Sequence, residues 1–122
     1  MIIDCHSHYT TEPASHHKFR EAQVFLFQDS TMPFPSYETI GDDEIRESIE
    51  NHQLRLLRAR GADMTIFSPR ASGMGHHIGD EAVSRRWTRA SNDLIAASSK
   101  CIRTTSLAFV SYRTRKAFQL TN

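Results

Sequence analysis

The sequence predicts an α/β protein built on a parallel sheet, on the strength of three observations. Two short apolar runs, 1–5 and 63–67, have the length of buried strands and end in polar residues. Each run is followed by a segment of helical periodicity, 42–60 after the first and about 80–100 after the second. Alternation of strand and helix brings successive strands back in the same direction through crossovers, which gives a parallel sheet.

The elements follow in order. Ile2 and Ile3 lie in the first run, which opens onto Asp4-Cys5-His6-Ser7-His8. Residues 9–41 are punctuated by Pro13, Pro33 and Pro35, with one helix expected over about 15–28. A connection of this length is usually functional. Asp42 or Asp43 can cap the next helix, whose apolar residues Ile45, Ile49, Leu56 and Leu57 recur at helical spacing. Arg55, Arg58 and Arg60 suit its C-terminal dipole, and Gly61 stops it. Asp63-Met64-Thr65-Ile66-Phe67 is the second strand, followed by Ser68-Pro69-Arg70 and a glycine-rich loop over 71–79. The last helix starts near Asp80, with Val83, Trp87, Ala90, Leu94 and Ala97 as its apolar stripe. Trp87 on that stripe is expected in the core.

Composition narrows the class. Hydrophobic residues make up 39% and charged residues 24% of the 122, which allows a folded core. No apolar run approaches the roughly 20 residues that span a bilayer, and no signal peptide is expected at the N-terminus. Cys5 and Cys101 sit in dissimilar contexts and suggest no disulfide, so a reducing, cytoplasmic setting is expected.

The sharpest chemical feature is His6-x-His8 at the end of the first strand. Residues two apart on an extended chain point to one side, so two imidazoles can converge on one ion such as zinc. The same spacing also fits two surface histidines at a strand end. Cys5 is expected in the core rather than as a ligand. The second feature is Ser68-Pro69-Arg70-Ala71-Ser72 with His76-His77-Ile78-Gly79-Asp80. It follows a strand as well, so it faces the same end of the sheet. Arg70 can clamp a carboxylate with two parallel hydrogen bonds, and His76 or His77 can donate to a substrate oxygen or carry a proton. A solvated glycine-rich loop fits the same residues. His16-His17 has nothing around it that looks like a site and is expected to be exposed.

Taken together, the segment from Ile2 to Thr11 resembles the opening of the amidohydrolase-related group that includes aminocarboxymuconate semialdehyde decarboxylase. The segment from Asp63 to Ser72, followed by His76-His77-Ile78-Gly79-Asp80, resembles the 4-oxalomesaconate hydratase family within it. The resemblance covers about residues 1–99. It implies the N-terminal portion of a (β/α)8 TIM barrel with one zinc ion in its mouth, His6 and His8 matching the first-strand ligands. It further implies a lyase of aromatic-acid catabolism that adds water to an unsaturated tricarboxylate, with Arg70, His76 and His77 on the substrate. A decarboxylase or hydrolase of the same superfamily is the alternative. The remaining metal ligands and most acid/base groups would lie beyond this chain, since such a barrel takes about 250 residues. The chain alone is therefore expected to bind zinc weakly and to be inactive, and the complete enzyme to admit oligomerisation.

Residues 100–122 break the pattern. All 14 acidic residues lie in 1–100, whereas 101–122 hold Arg103, Arg113, Arg115 and Lys116 and no acid. The resemblance ends at the same place, and the tail is expected to be out of frame and not natively packed. A small module with a basic arm for nucleic acid is the reading from another class, supported only by Phe109, Tyr112 and Phe118 near those cations. The expected partner remains a small carboxylate, with neither nucleic acid nor membrane.

Overall fold

The computed structural model describes residues 1–70 and 78–102 with their side chains, and Leu107–Phe109 by their backbone. It is a mixed α/β chain in which β1 (Ile3–His8) pairs parallel with β2 (Met64–Ser68). A short third strand, β3 (Leu107–Phe109), pairs parallel with the far side of β2, so the sheet order is β1-β2-β3. The sequence did not place this strand. The rest of 103–122 lies outside the described residues, and with it the expectation of an out-of-frame tail.

Helix α1 (Ala14–Gln28) occupies the long connection after β1. The next helix begins at Asp42, but its N-cap is Gly41, with no side-chain cap. Asp42, Asp43 and Glu44 instead fill the first turn, where acidic charge meets the positive end of the dipole. The helix expected over 42–60 is also interrupted. Helix α2 (Asp42–Ile49) passes into a π turn at Glu50–Leu54 before α3 (Arg55–Ala59). The wider turn advances the inward face. Ile45, Ile49, Leu54 and Leu57 are buried, whereas Leu56, placed in the stripe by regular spacing, is exposed. Gly61 ends the segment with φ +66°, the left-handed conformation expected of a helix stop.

Helix α4 (Glu81–Cys101) is capped by Asp80, whose carboxylate accepts from the Val83 N–H at 2.9 Å. Trp87, Ala90 and Leu94 are buried as expected, joined by Ser91, Ile95 and Ser98; Val83 and Ala97 are half-buried. The main core lies between the helices and one face of the sheet, where Phe67 and Tyr9 meet Ile45, Ile49, Leu94 and Ile95. A second cluster of Phe19, Trp87 and Ala90 fastens α1 to α4. Among the described residues no helix is long and apolar enough to cross a membrane.

The first strand departs from expectation in two ways. It runs on through both histidines, and it is not buried: Met1, Ile2, Ile3 and Cys5 are exposed. Among the described residues β1 is the edge of the sheet, paired on one side only. The apolar residues that read as core therefore face open space, and Cys5 is an exposed thiol rather than a core residue.

Candidate functional site

The register of β1 against β2 decides where the histidines point. Ile3 and Asp4 pair with Met64 and Thr65, but Ser7 and His8 pair with Phe67 and Ser68. Three steps along β1 match two along β2, so a bulge holds one extra residue at Cys5–His6. Thr65 and Phe67 are buried on the helix-facing side. An unbroken register from Asp4 would set His6 beside Phe67, under the helices. The extra residue reverses the phase. Ser7 and Tyr9 take the helix side, and the Tyr9 ring packs 5.0 Å from that of Phe67. His6 and His8 are turned to the opposite face, beside Ser68.

On that face the two imidazoles meet. Their Nε2 atoms are 3.1 Å apart and the rings stand edge to face. The other side of the His8 ring fixes its tautomer. The Ser68 hydroxyl donates to the Ser7 carbonyl at 3.0 Å, so its oxygen can only accept from His8 Nδ1, 2.8 Å away. The Pro69 carbonyl, 3.1 Å from the same nitrogen, is also an acceptor. Two acceptors place the proton on Nδ1 and leave Nε2 as a bare lone pair directed at His6. An imidazole held through its far nitrogen by a carbonyl is the usual support of a metal ligand. Two nitrogens bound to one tetrahedral zinc lie about 3.3 Å apart, close to the separation here. The pair thus fits half of a zinc site. Among the described residues no group of three or more His, Cys, Asp and Glu side chains could complete it.

The π turn serves this strand end. Its Gln53 side chain donates to the His8 carbonyl at 3.0 Å and to Thr10 Oγ1 at 3.1 Å, while Thr11 Oγ1 donates to Gln53 and lies against Ser48. Tyr9 hydrogen-bonds Ser48 as well. Nothing in the sequence singled out Gln53, and Ser68 stood out only as the start of the Ser-Pro-Arg-Ala-Ser motif, with no role of its own. The signal for Gln53 was only a polar residue in an otherwise regular helical stripe.

Arg70, one residue beyond Pro69, reaches a second cluster. Its Nη1 is 3.5 Å from His17 Nε2, and the same His17 nitrogen is 3.2 Å from a Glu12 carboxyl oxygen. Glu12 is buried, and burial raises its pKa from 4.5 to about 7 against the opposing pull of Arg70. Burial and the neighbouring Arg70 charge both lower His17.

The His16-His17 pair, expected to be exposed, is neither bare nor idle. His16 is 1% exposed, stacked on Trp87 with ring centroids 4.4 Å apart, and its Nδ1 is 2.9 Å from the Tyr37 hydroxyl. The inward residues of α1 are His16, Phe19, Arg20 and Gln23, so an apolar stripe never marked this face. Burial pushes His16 down to about 4. His76 and His77 lie outside the described residues.

Glu12 and His16 act on stability in opposite senses. His16, lowered, stabilises the fold above about pH 6.5, and that contribution is lost as pH falls through about 4. Glu12, raised, contributes below about pH 4.5, and that contribution is lost as pH rises through about 7. Between these limits the two trends offset. Glu12→Gln removes the second. It should leave stability unchanged near pH 4.5 and raise it by about 2 kcal/mol at pH 8, allowing for partial solvent screening. Urea unfolding followed by the fluorescence of Trp87, the sole tryptophan, measures this. Equal stabilities at pH 8 would refute a buried carboxyl at this position.

Fold and site together define an α/β chain that presents a paired-imidazole site, with an arginine beside it, at the C-terminal end of parallel strands. The chain is similar to 2-keto-4-carboxy-3-hexenedioate hydratase from Sphingobium sp., at 57% identity over 96 residues, which are 79% of this chain and 28% of that protein. Its structure resembles the crystal structure of 4-oxalomesaconate hydratase from Rhodopseudomonas palustris, with a TM-score of 0.84 and 34% identity over 97% of this chain and 35% of that one. No family model matches the sequence. The chain spans well under half the length of either protein.

Proposed function

We propose that this chain is the N-terminal part of a zinc-dependent hydratase of the amidohydrolase superfamily, which adds water across the carbon–carbon double bond of an unsaturated tricarboxylate. The observation that carries the proposal is the pair of Nε2 atoms at 3.1 Å, with the His8 ring held through Nδ1 by the Ser68 and Pro69 acceptors. The similarity to two hydratases supplies the reaction. His6 and His8 would hold the zinc with ligands from outside the described residues, in the mouth of a (β/α)8 barrel. The ion, when bound, lowers the pKa of water towards neutrality. The residues of this chain bind and orient. Ser68 and the Pro69 carbonyl keep the His8 ring turned, Gln53 fixes the backbone behind it, and Arg70 pairs with a substrate carboxylate at the same strand end. Addition places the hydroxyl of water on one alkene carbon and a proton on the other.

A chimera tests this. Residues 1–99 replace the matching segment of the Sphingobium hydratase, and hydration of 2-keto-4-carboxy-3-hexenedioate is followed by loss of the conjugated absorbance. Activity within about tenfold of the parent is expected, because the segment is 57% identical to the one it replaces. A folded, zinc-loaded chimera without hydratase activity would overturn the assignment.

A further inference from the structure

A cleft opens where α1, the segment after it and α4 converge, on the helix side of the sheet and so on the other side from His6 and His8. Helix α4 supplies Arg86, Arg89, Ala90 and Asp93, whose spacing puts them on one face of the helix. Ala90 is the small member of this row, so the floor, made with Phe19, is recessed between longer side chains; both floor residues are buried. Two rings stand over the floor. Tyr37 meets Phe19 edge to face, with centroids 5.0 Å apart, and its hydroxyl is 2.9 Å from His16 Nδ1. Phe34 carries the Arg86 guanidinium over its ring at 3.9 Å. The cavity bounded by these described residues is about 280 Å³, near the lower end for small-ligand pockets.

The charges on its rim are not cancelled in place. Arg85, outside the cleft wall, pairs with Glu81 at 2.6 Å, acid before base along the helix, which is the favourable order. Arg89 and Asp93 are also four residues apart but in the reverse order, and among the described residues they form no ion pair with each other. Arg86 stacks through its flat face, which leaves its N–H donors in the plane to meet an acceptor. We propose that this cleft binds a free aromatic α-amino acid. The ring enters among Phe19, Phe34 and Tyr37, the carboxylate meets Arg89 and Arg86, and the ammonium meets Asp93. The charges select this class. A simple carboxylate is drawn by the guanidiniums but repelled by Asp93, and a simple amine meets the reverse. An α-amino acid carries both charges on one carbon and answers both. The rings select an aromatic side chain, because edge-to-face contacts add to the apolar area buried.

The test is titration of the 122-residue chain at neutral pH with L-phenylalanine, hydrocinnamate, which lacks the ammonium, and phenethylamine, which lacks the carboxylate. Amide chemical shifts follow the binding. Phenylalanine should bind saturably at millimolar concentration and move the amides of 34–37 and 86–93. Each singly charged analogue should bind about two- to fivefold more weakly, the scale of charge pairs at an exposed rim. Arg89→Met and Asp93→Asn alter exposed side chains and should leave the fold intact, as circular dichroism checks. Asp93→Asn should weaken phenylalanine and strengthen hydrocinnamate, which meets Asp93 only as a like charge. Arg89→Met should weaken both of these and spare phenethylamine. Absence of saturable phenylalanine binding, or an equal effect of Asp93→Asn on phenylalanine and hydrocinnamate, overturns the site. Leucine bound as tightly as phenylalanine overturns its preference for a ring.

Discussion

In the chimera, His8→Ala is expected to lower hydratase activity at least about a thousandfold. A metal-activated water accounts for several kcal/mol of transition-state stabilisation, and each 1.36 kcal/mol is about a factor of ten in rate. The imidazole of His8 is held by two acceptors on Nδ1, which keep its Nε2 turned toward His6, and alanine has no donor atom to replace it. Ser68→Ala gives the graded control. It removes one of those two acceptors and leaves the Pro69 carbonyl, so zinc affinity should fall about 10–100-fold, as for other outer partners of a metal-bound histidine. Added zinc should then restore much of the activity of Ser68→Ala and none of that of His8→Ala. Atomic absorption on dialysed protein and activity against zinc concentration measure both. Full activity in His8→Ala would remove the metal from this strand end.

The largest effect on folding is expected at Trp87. It is 2% exposed, stacked on His16, with the Arg20 guanidinium 5.2 Å from its ring centre. Its cluster with Phe19 and Ala90 is what joins α1 to α4. Trp87→Ala leaves a cavity at that joint and should cost about 3–5 kcal/mol. It should also loosen α1, and so displace His17 from Arg70. Trp87→Phe should be much milder. It keeps a ring against His16 and removes an indole N–H that has no partner among the described residues. Urea unfolding followed by far-ultraviolet circular dichroism compares the three chains. A loss below about 1 kcal/mol in Trp87→Ala would show that α1 is held by something other than this cluster.

Much of this was legible in the residues. The Val83-to-Ala97 stripe and the Asp80 cap located α4, and Gly61 located a helix end, because each rests on local chemistry. The His-x-His spacing located the imidazole pair. What failed to show did so for definable reasons. The π turn inserts one residue into a helical period, so Leu54 was missed and Leu56 wrongly faced inward. The buried side of α1 is polar, and a search for apolar periodicity passes over His16 and Gln23. Glu12 and His17 meet each other directly, but Arg70, which joins them, lies more than fifty residues further along the chain. Burial of β1 was over-read, because an apolar run reports affinity for a core and not the presence of one.

The bulge at Cys5–His6 gives the site a parity. The strand offers its side chains in alternation, and the single surplus residue is what assigns the histidines to the open side and Tyr9 to the closed one. Retaining both histidines is therefore insufficient to retain the site. A change of one residue in the length of this strand, upstream of the pair, would exchange the two sides at a stroke, sending the imidazoles in among the helices and the Tyr9 ring out. Two such changes would cancel. Length here is tolerated in even numbers, a constraint that substitutions at any position leave untouched.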